Sequence, residues 1–261
     1  MKSQYYQDST KERWDWEERW DNLPKIAEVS SVVWGLLDQD KAEYLLRYLK
    51  NTQGLTLEVG CGAARLSSIL AQNGFKTICL DSSHAAIKFA LGLYKEKKIN
   101  YFYGVVGDGF NLPFRDAMLE GVLSTGLLEH FTDPLPLMQE MHRVLKPGGF
   151  FYADILPKKR WRLLMLFDFI RPLLGRRVKP FFEMPFSKSN IEGFVDKIGL
   201  KNWAVFPAGI FLPRLPVLRK SKILIGLENK ANQLLHPLFK KMDATIWAEI
   251  FGVYYFVLGK K

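Results

Sequence analysis

Along the first half of the chain, short apolar runs alternate with amphipathic stretches. Leu55–Val59, Phe75–Leu80, Tyr101–Val106, Leu119–Ser124 and Phe150–Ile155 read as buried strands. Ala63–Gln72, Ser83–Lys97 and Pro134–Leu145 read as the helices between them. Ahead of them, Asp38 is placed to cap a helix running to about Lys50, with Ala42, Leu45, Leu46 and Leu49 on one stripe. Strands that alternate with helices pair in parallel through right-handed crossovers, so the pattern predicts an α/β, doubly wound sheet.

Beyond residue 156 the pattern changes. Residues 157–179 mix basic and apolar positions, Ser187–Ile198 reads as a capped helix, and Lys201–Phe206 as a sixth strand. A helix is predicted around Ile223–Leu235 and a closing strand over Val253–Leu258. The reading is one domain over 1–261: an N-terminal cap and helix (1–50), a core (51–156), and helical lid insertions at 157–186 and 211–248.

Charge sharpens this division. Residues 1–150 hold 17 Lys/Arg and 19 Asp/Glu, whereas residues 151–261 hold 20 Lys/Arg against 8 Asp/Glu. A basic second half suits an anionic partner, and equally a solvated surface. The chain has two cysteines, Cys61 and Cys79, too few for a disulfide framework, and no apolar run long enough to span a bilayer. A cytoplasmic protein is the expectation, with peripheral membrane contact through the basic, apolar stretch 158–179 as an option; a buried lid is the other reading of that stretch.

Candidate chemistry concentrates in Leu55–Leu66, LTLEVGCGAARL. A strand runs into Gly60, Cys61 and Gly62, and a helix follows. Glycines let the backbone turn sharply and approach a ligand, and the helix start offers unpaired N–H groups. Glu58, at the strand end, can meet a ligand ammonium. Asp81, ending the second strand, can accept hydrogen bonds from ribose hydroxyls, or else cap the next helix.

These segments resemble the class I S-adenosylmethionine-dependent methyltransferases, and within them the small-molecule branch that includes ubiquinone and menaquinone biosynthesis enzymes. The resemblance covers roughly Gln53–Ile155. It rests on LEVGCG, on Leu80-Asp81, on GDGFNLPF from Gly107 to Phe114, on TGLLEHF from Thr125 to Phe131, and on RVLKPGG from Arg143 to Gly149. Ala64 departs from it, standing where the family carries a third glycine. The resemblance implies a seven-stranded sheet, mostly parallel with an antiparallel last strand, and S-adenosyl-L-methionine as cofactor. It implies that Glu58 meets the methionine ammonium, that Gly60, Cys61 and Gly62 line the methionine, and that Asp81 and Ser82 hold the ribose. Asp108 and Gly109 would frame the adenine, and Thr125 would lie near the methionine end.

Methyl transfer from a sulfonium requires alignment, exclusion of water and, for some acceptors, a base. His130 is the candidate base, with the alternative that Glu129-His130 orders its loop. No metal is expected, because Gly126 and Leu128 add no ligand to Glu129 and His130. His84, His142 and His236 read as surface or packing residues. The N-terminal aromatics are candidates to close over the site, Tyr5 and Tyr6 foremost, with packing against the sheet edge as the alternative and the favoured reading for the tryptophans. The function read from the sequence is methylation of a small, apolar or lipid-linked acceptor at oxygen, carbon or nitrogen. The alternatives are an RNA methyltransferase using the basic half, a non-catalytic S-adenosylmethionine-binding protein, and a nicotinamide dehydrogenase. Nucleic acid is disfavoured, since no Asn-Pro-Pro-Tyr-type segment follows the fourth strand and no RNA-binding module is attached.

Overall fold

A computed structural model describes residues 16–21, 32–49, 54–158, 183–212 and 221–261. Seven strands form one sheet: β1 (Leu55–Val59), β2 (Lys76–Asp81), β3 (Tyr103–Val106), β4 (Leu119–Thr125), β5 (Leu145–Ile155), β6 (Lys201–Ala208) and β7 (Tyr254–Lys260). Their order is β3-β2-β1-β4-β5-β7-β6. The first five pair in parallel, and β7 lies antiparallel between β5 and β6. This is the doubly wound, mostly parallel sheet anticipated from the alternation, closed by an antiparallel strand.

Seven helices with assigned ends accompany it: α1 (Val32–Tyr48), α2 (Arg65–Gln72), α3 (His84–Glu96), α4 (Leu135–Val144), α5 (Lys188–Ile198), α6 (Lys222–Lys240) and α7 (Ile246–Phe251). Residues 16–21 are also helical. The alternation along each strand sorts the core into two faces. Leu57, Val59, Val122, Phe151 and Ala153 pack with Met138 and Met141 of α4 and Ile191 and Val195 of α5. Leu123, Tyr152, Phe256 and Leu258 pack on the other face with Leu37, Ala42 and Leu45 of α1 and Leu66 and Leu70 of α2.

Two expectations are corrected. Asp38 caps nothing: α1 begins six residues earlier, at Val32, and the Asp38 carboxylate lies mid-helix, accepting from Arg65 Nε at 2.6 Å. A buried acid with an arginine partner is stable inside a helix, which sequence spacing alone does not reveal. The helix around Ile223 runs on to Lys240, through Pro237, because Ser221 caps its start and its inner side packs on α1. The short α7 was not anticipated; Thr245 caps it by accepting from the Trp247 N–H at 3.2 Å. The capped Ser187 helix was read correctly, and the structure adds a reciprocal capping box between Ser187 and Asn190. Most of the 158–179 stretch lies outside the described residues, as does much of the proposed lid.

Candidate functional site

The turns after β1, β2, β3 and β4 leave the same end of the sheet, beside the point where the strand order reverses between β1 and β4. Crevices of this kind hold ligands in doubly wound folds. The β1 turn is built for close approach. Gly60 and Gly62 have φ of +65° and +49°, conformations open to glycine at no steric cost. A β-carbon at Gly60 would stand 2.7 Å from Leu127 Cδ2, and one at Gly62 2.6 Å from Trp20 Cζ2. Ala64 is also left-handed, at φ +52°, a conformation it holds despite a side chain.

Glu58 is buried at the end of β1. Its Oε1 accepts from Thr125 Oγ1 and its Oε2 from the Ser67 N–H, both at 3.1 Å. Burial pushes its pKa up to about 7, against the two hydrogen bonds that favour the ionised form. A carboxyl held at that threshold gains most from a cation placed against it. Asp81 closes β2. Its Oδ2 accepts from the Gly62 N–H and its Oδ1 from the Ser83 N–H, both at 2.9 Å. The helix-capping alternative fails for Asp81, because Ser83 caps α3, accepting from the Ala86 N–H at 3.0 Å. Asp81 instead ties the glycine turn to the start of α3, with lone pairs left on both oxygens. Burial raises its pKa as well.

The remaining residues are less uniform. Cys61 is buried and Ser82 half-buried beside these groups. Gly109 lies under Leu137 and Val59, with no room for a β-carbon. Asp108 is exposed and accepts from the Phe110 N–H at 2.9 Å, so it shapes its own loop. His130 ends a 3-10 turn, Leu128–His130, with Trp16 edge-on to its ring at 5.0 Å. Glu129 is buried, and burial together with the Asp154 charge pushes its pKa up to about 8.

Residues absent from the sequence reading also stand at this end of the sheet. Lys41, from α1, forms a buried ion pair with Asp154 at 2.8 Å. Asp154 also accepts from the Gly126 N–H at 2.8 Å, fixing the turn after β4. Its position at a strand's carboxyl end is the signal that singled out Asp81, and applied to β5 it finds Asp154. Trp16 and Trp20 correct an expectation, since the N-terminal tryptophans were assigned to the sheet edge. Helix 16–21 instead crosses the strand tips: Trp16 meets His130, Trp20 covers Gly62 and meets Phe89, and Glu17 accepts from the Ala85 N–H at 3.1 Å. The open N-terminus of α3 attracts that carboxylate. Tyr5 and Tyr6 lie outside the described residues. A shallow cleft of about 610 Å³, bordered by Lys76, Tyr103, Phe114 and Lys146, opens at the opposite end of the sheet and carries no carboxylate. Among the described residues no cluster of three metal-binding side chains occurs.

The geometry suits an adenosyl sulfonium: a glycine cradle, a buried acid for an ammonium, and a second acid at the next strand tip. Residues 57–153 match the family model described as a methyltransferase domain. A demethylmenaquinone methyltransferase of Staphylococcus epidermidis is 32% identical over 59% of this chain and 66% of its own length. A ubiquinone biosynthesis O-methyltransferase of Caulobacter vibrioides is 30% identical over 40% of this chain and 42% of its own. The chain thus spans at most 66% of these two curated relatives. An S-adenosylmethionine-dependent methyltransferase from Archaeoglobus fulgidus superposes with a TM-score of 0.57, at 18% identity, over 87% of this chain and 93% of its own, a likeness of fold. Motif order, matched residues and sheet topology together give residues 57–153 as a methyltransferase domain, in a chain with the fold of the class I S-adenosylmethionine-dependent methyltransferases.

Proposed function

We propose that this chain transfers a methyl group from S-adenosyl-L-methionine to a small, apolar or lipid-linked acceptor. The observation that carries the reading is the trio at adjoining strand tips: buried Glu58, the Gly60–Gly62 turn, and Asp81 bonded to that turn. Glu58 holds the methionine ammonium, with Thr125 and the Ser67 amide fixing its carboxylate. Gly60, Cys61 and Gly62 line the methionine, Asp81 and Ser82 take the ribose, and Asp108 and Gly109 frame the adenine. When bound, the cofactor supplies a methyl already activated by positive sulfur, so the protein's part is alignment and exclusion of water.

His130 takes the proton where the acceptor is a hydroxyl or amine. Glu129 is the poorer acceptor, because it keeps its own proton at neutral pH. The names of two relatives, a demethylmenaquinone methyltransferase and a ubiquinone biosynthesis O-methyltransferase, support an apolar acceptor. The test is direct. S-adenosylhomocysteine should raise the melting temperature and NAD should not, and labelled methyl should appear on demethylated quinones offered as extract fractions. Stabilisation by NAD alone would refute the reading.

A further inference from the structure

Helix α6 is inside out. Three of its polar residues face the protein: Asn232 is 0% and Glu228 9% exposed, Asn232 Oδ1 accepts from the Leu212 N–H at 2.8 Å, and His236 Nε2 meets Asp40 Oδ2 at 2.8 Å. Its outer side carries Ile223, Leu227 and Leu234, exposed by 77%, 58% and 80%, with Leu238 beyond them. An exposed stripe of large aliphatic residues at helical spacing is rare on a solvent-facing helix. Lys230 and Lys241 flank the stripe on the exposed side. A turn of a few residues leads to α7, which exposes Ile246, Trp247, Ile250 and Phe251.

The charge around this face decides its occupant. Among the described side chains of 221–241 the cations are Lys230, Lys240 and Lys241, and the one acid of α6, Glu228, faces inward. The acid of α7, Glu249, is likewise turned in, to the Tyr255 hydroxyl. The exposed side of α6 therefore presents only apolar, neutral and cationic groups. A second copy packed here about a twofold axis would set lysine against lysine. An anionic bilayer surface accepts both components: aliphatic side chains enter the acyl boundary, while lysines and Trp247 remain at the headgroups. Among the described residues no helix is long and apolar enough to cross a membrane, so contact would lie along the surface.

We infer that α6 and α7 form a docking face for anionic phospholipid membranes. The inference stands apart from the reaction, since it uses no residue of the strand-tip site. The experiment is vesicle flotation of the full chain with phosphatidylglycerol–phosphatidylcholine vesicles and with phosphatidylcholine vesicles alone. The wild type floats with the mixed vesicles and far less with phosphatidylcholine. Leu227→Glu/Leu234→Glu lowers partition by at least about tenfold, and Lys230→Glu lowers it for the mixed vesicles only. Both positions are exposed, so the melting temperature and the shift given by S-adenosylhomocysteine stay unchanged. That control separates failure of docking from failure of cofactor binding. A wild type that stays soluble with both vesicles overturns the inference, as does equal flotation of the double variant. A wild-type dimer that the double variant splits overturns it in favour of a second copy.

Discussion

Trp20 lies across Gly62, its six-membered ring on the space a β-carbon at that glycine would fill. The contact joins the N-terminal helix to the turn that forms the floor of the candidate site. Two costs meet at Gly62→Ala: the left-handed φ costs about 1–2 kcal/mol with a β-carbon, and the methyl displaces the indole. S-adenosylhomocysteine affinity, measured by calorimetry, should fall at least about tenfold. Adding Trp20→Ala should recover only part of the loss, because it relieves the collision and leaves the backbone strain. Full recovery would mean that the φ at Gly62 is immaterial.

Ala64 sets the opposite case. It holds φ +52° with a side chain, so Ala64→Gly removes native strain while loosening the unfolded chain. The two terms oppose, and stability in urea should change by less than about 1 kcal/mol. A loss well beyond that would show that the alanine methyl, buried between α2 and β2, contributes more packing than its strain costs.

The pKa of Glu58, raised to about 7 from 4.5, has a sign that can be checked. The folded, ligand-free chain keeps a proton that the unfolded chain has released, so stability falls as pH rises between those two values and levels off above them. Affinity runs the other way. An ammonium prefers the ionised carboxylate, so S-adenosylmethionine should bind more tightly as pH climbs through about 7, with a proton released on binding. Calorimetry in buffers of different ionisation enthalpy reads that proton. Glu58→Gln should bind more weakly and lose the pH dependence; an unaltered profile would remove Glu58 from the site.

Asp81→Ala removes the acceptors for two N–H groups and the proposed ribose partner together. Cofactor affinity should fall at least about tenfold, the value of roughly one charge-assisted hydrogen bond. Asp81→Asn retains one acceptor and should fall between wild type and alanine.

The Lys41–Asp154 pair is a matter of stability. Lys41→Met leaves the buried Asp154 carboxyl beside Glu129 without its cation, and should cost about 3–5 kcal/mol in denaturant unfolding. Lys41→Met/Asp154→Leu should recover much of that loss. Equal destabilisation by both variants would show that packing around the lysine stem, and not the charge, holds α1 to β5.

The sheet was legible because each parallel strand centres on a short, largely apolar run between turn residues, and Ser83 and Ser187 announce their helices by capping chemistry. The glycine turn with its flanking acids was legible for the same local reason. Asp38 misled, because an acid before an apolar stripe reads as a cap when its arginine partner, Arg65, lies 27 residues away. Lys41 escaped because its meaning resides in a contact between α1 and β5, which no window of sequence contains, whereas Asp154 carries the same strand-end signal as Asp81. Trp16 and Trp20 could be counted in the sequence but not located, since nothing local tells a tryptophan which wall it will meet.

The reversal of strand order between β1 and β4 divides the molecule into two workshops. All the proposed nucleotide contacts belong to turns on the β1–β3 side or to the tip of β4, where Asp154 of β5 pairs with Thr125, whereas β6 and β7 pair with none of these strands. The later half is therefore free to diverge, exchange segments with relatives or acquire new acceptor walls while the earlier half goes on holding the same methyl donor. Grafting residues 183–261 from a homologue should redirect specificity without retuning donor affinity, which makes the boundary after β5 the natural seam for engineering.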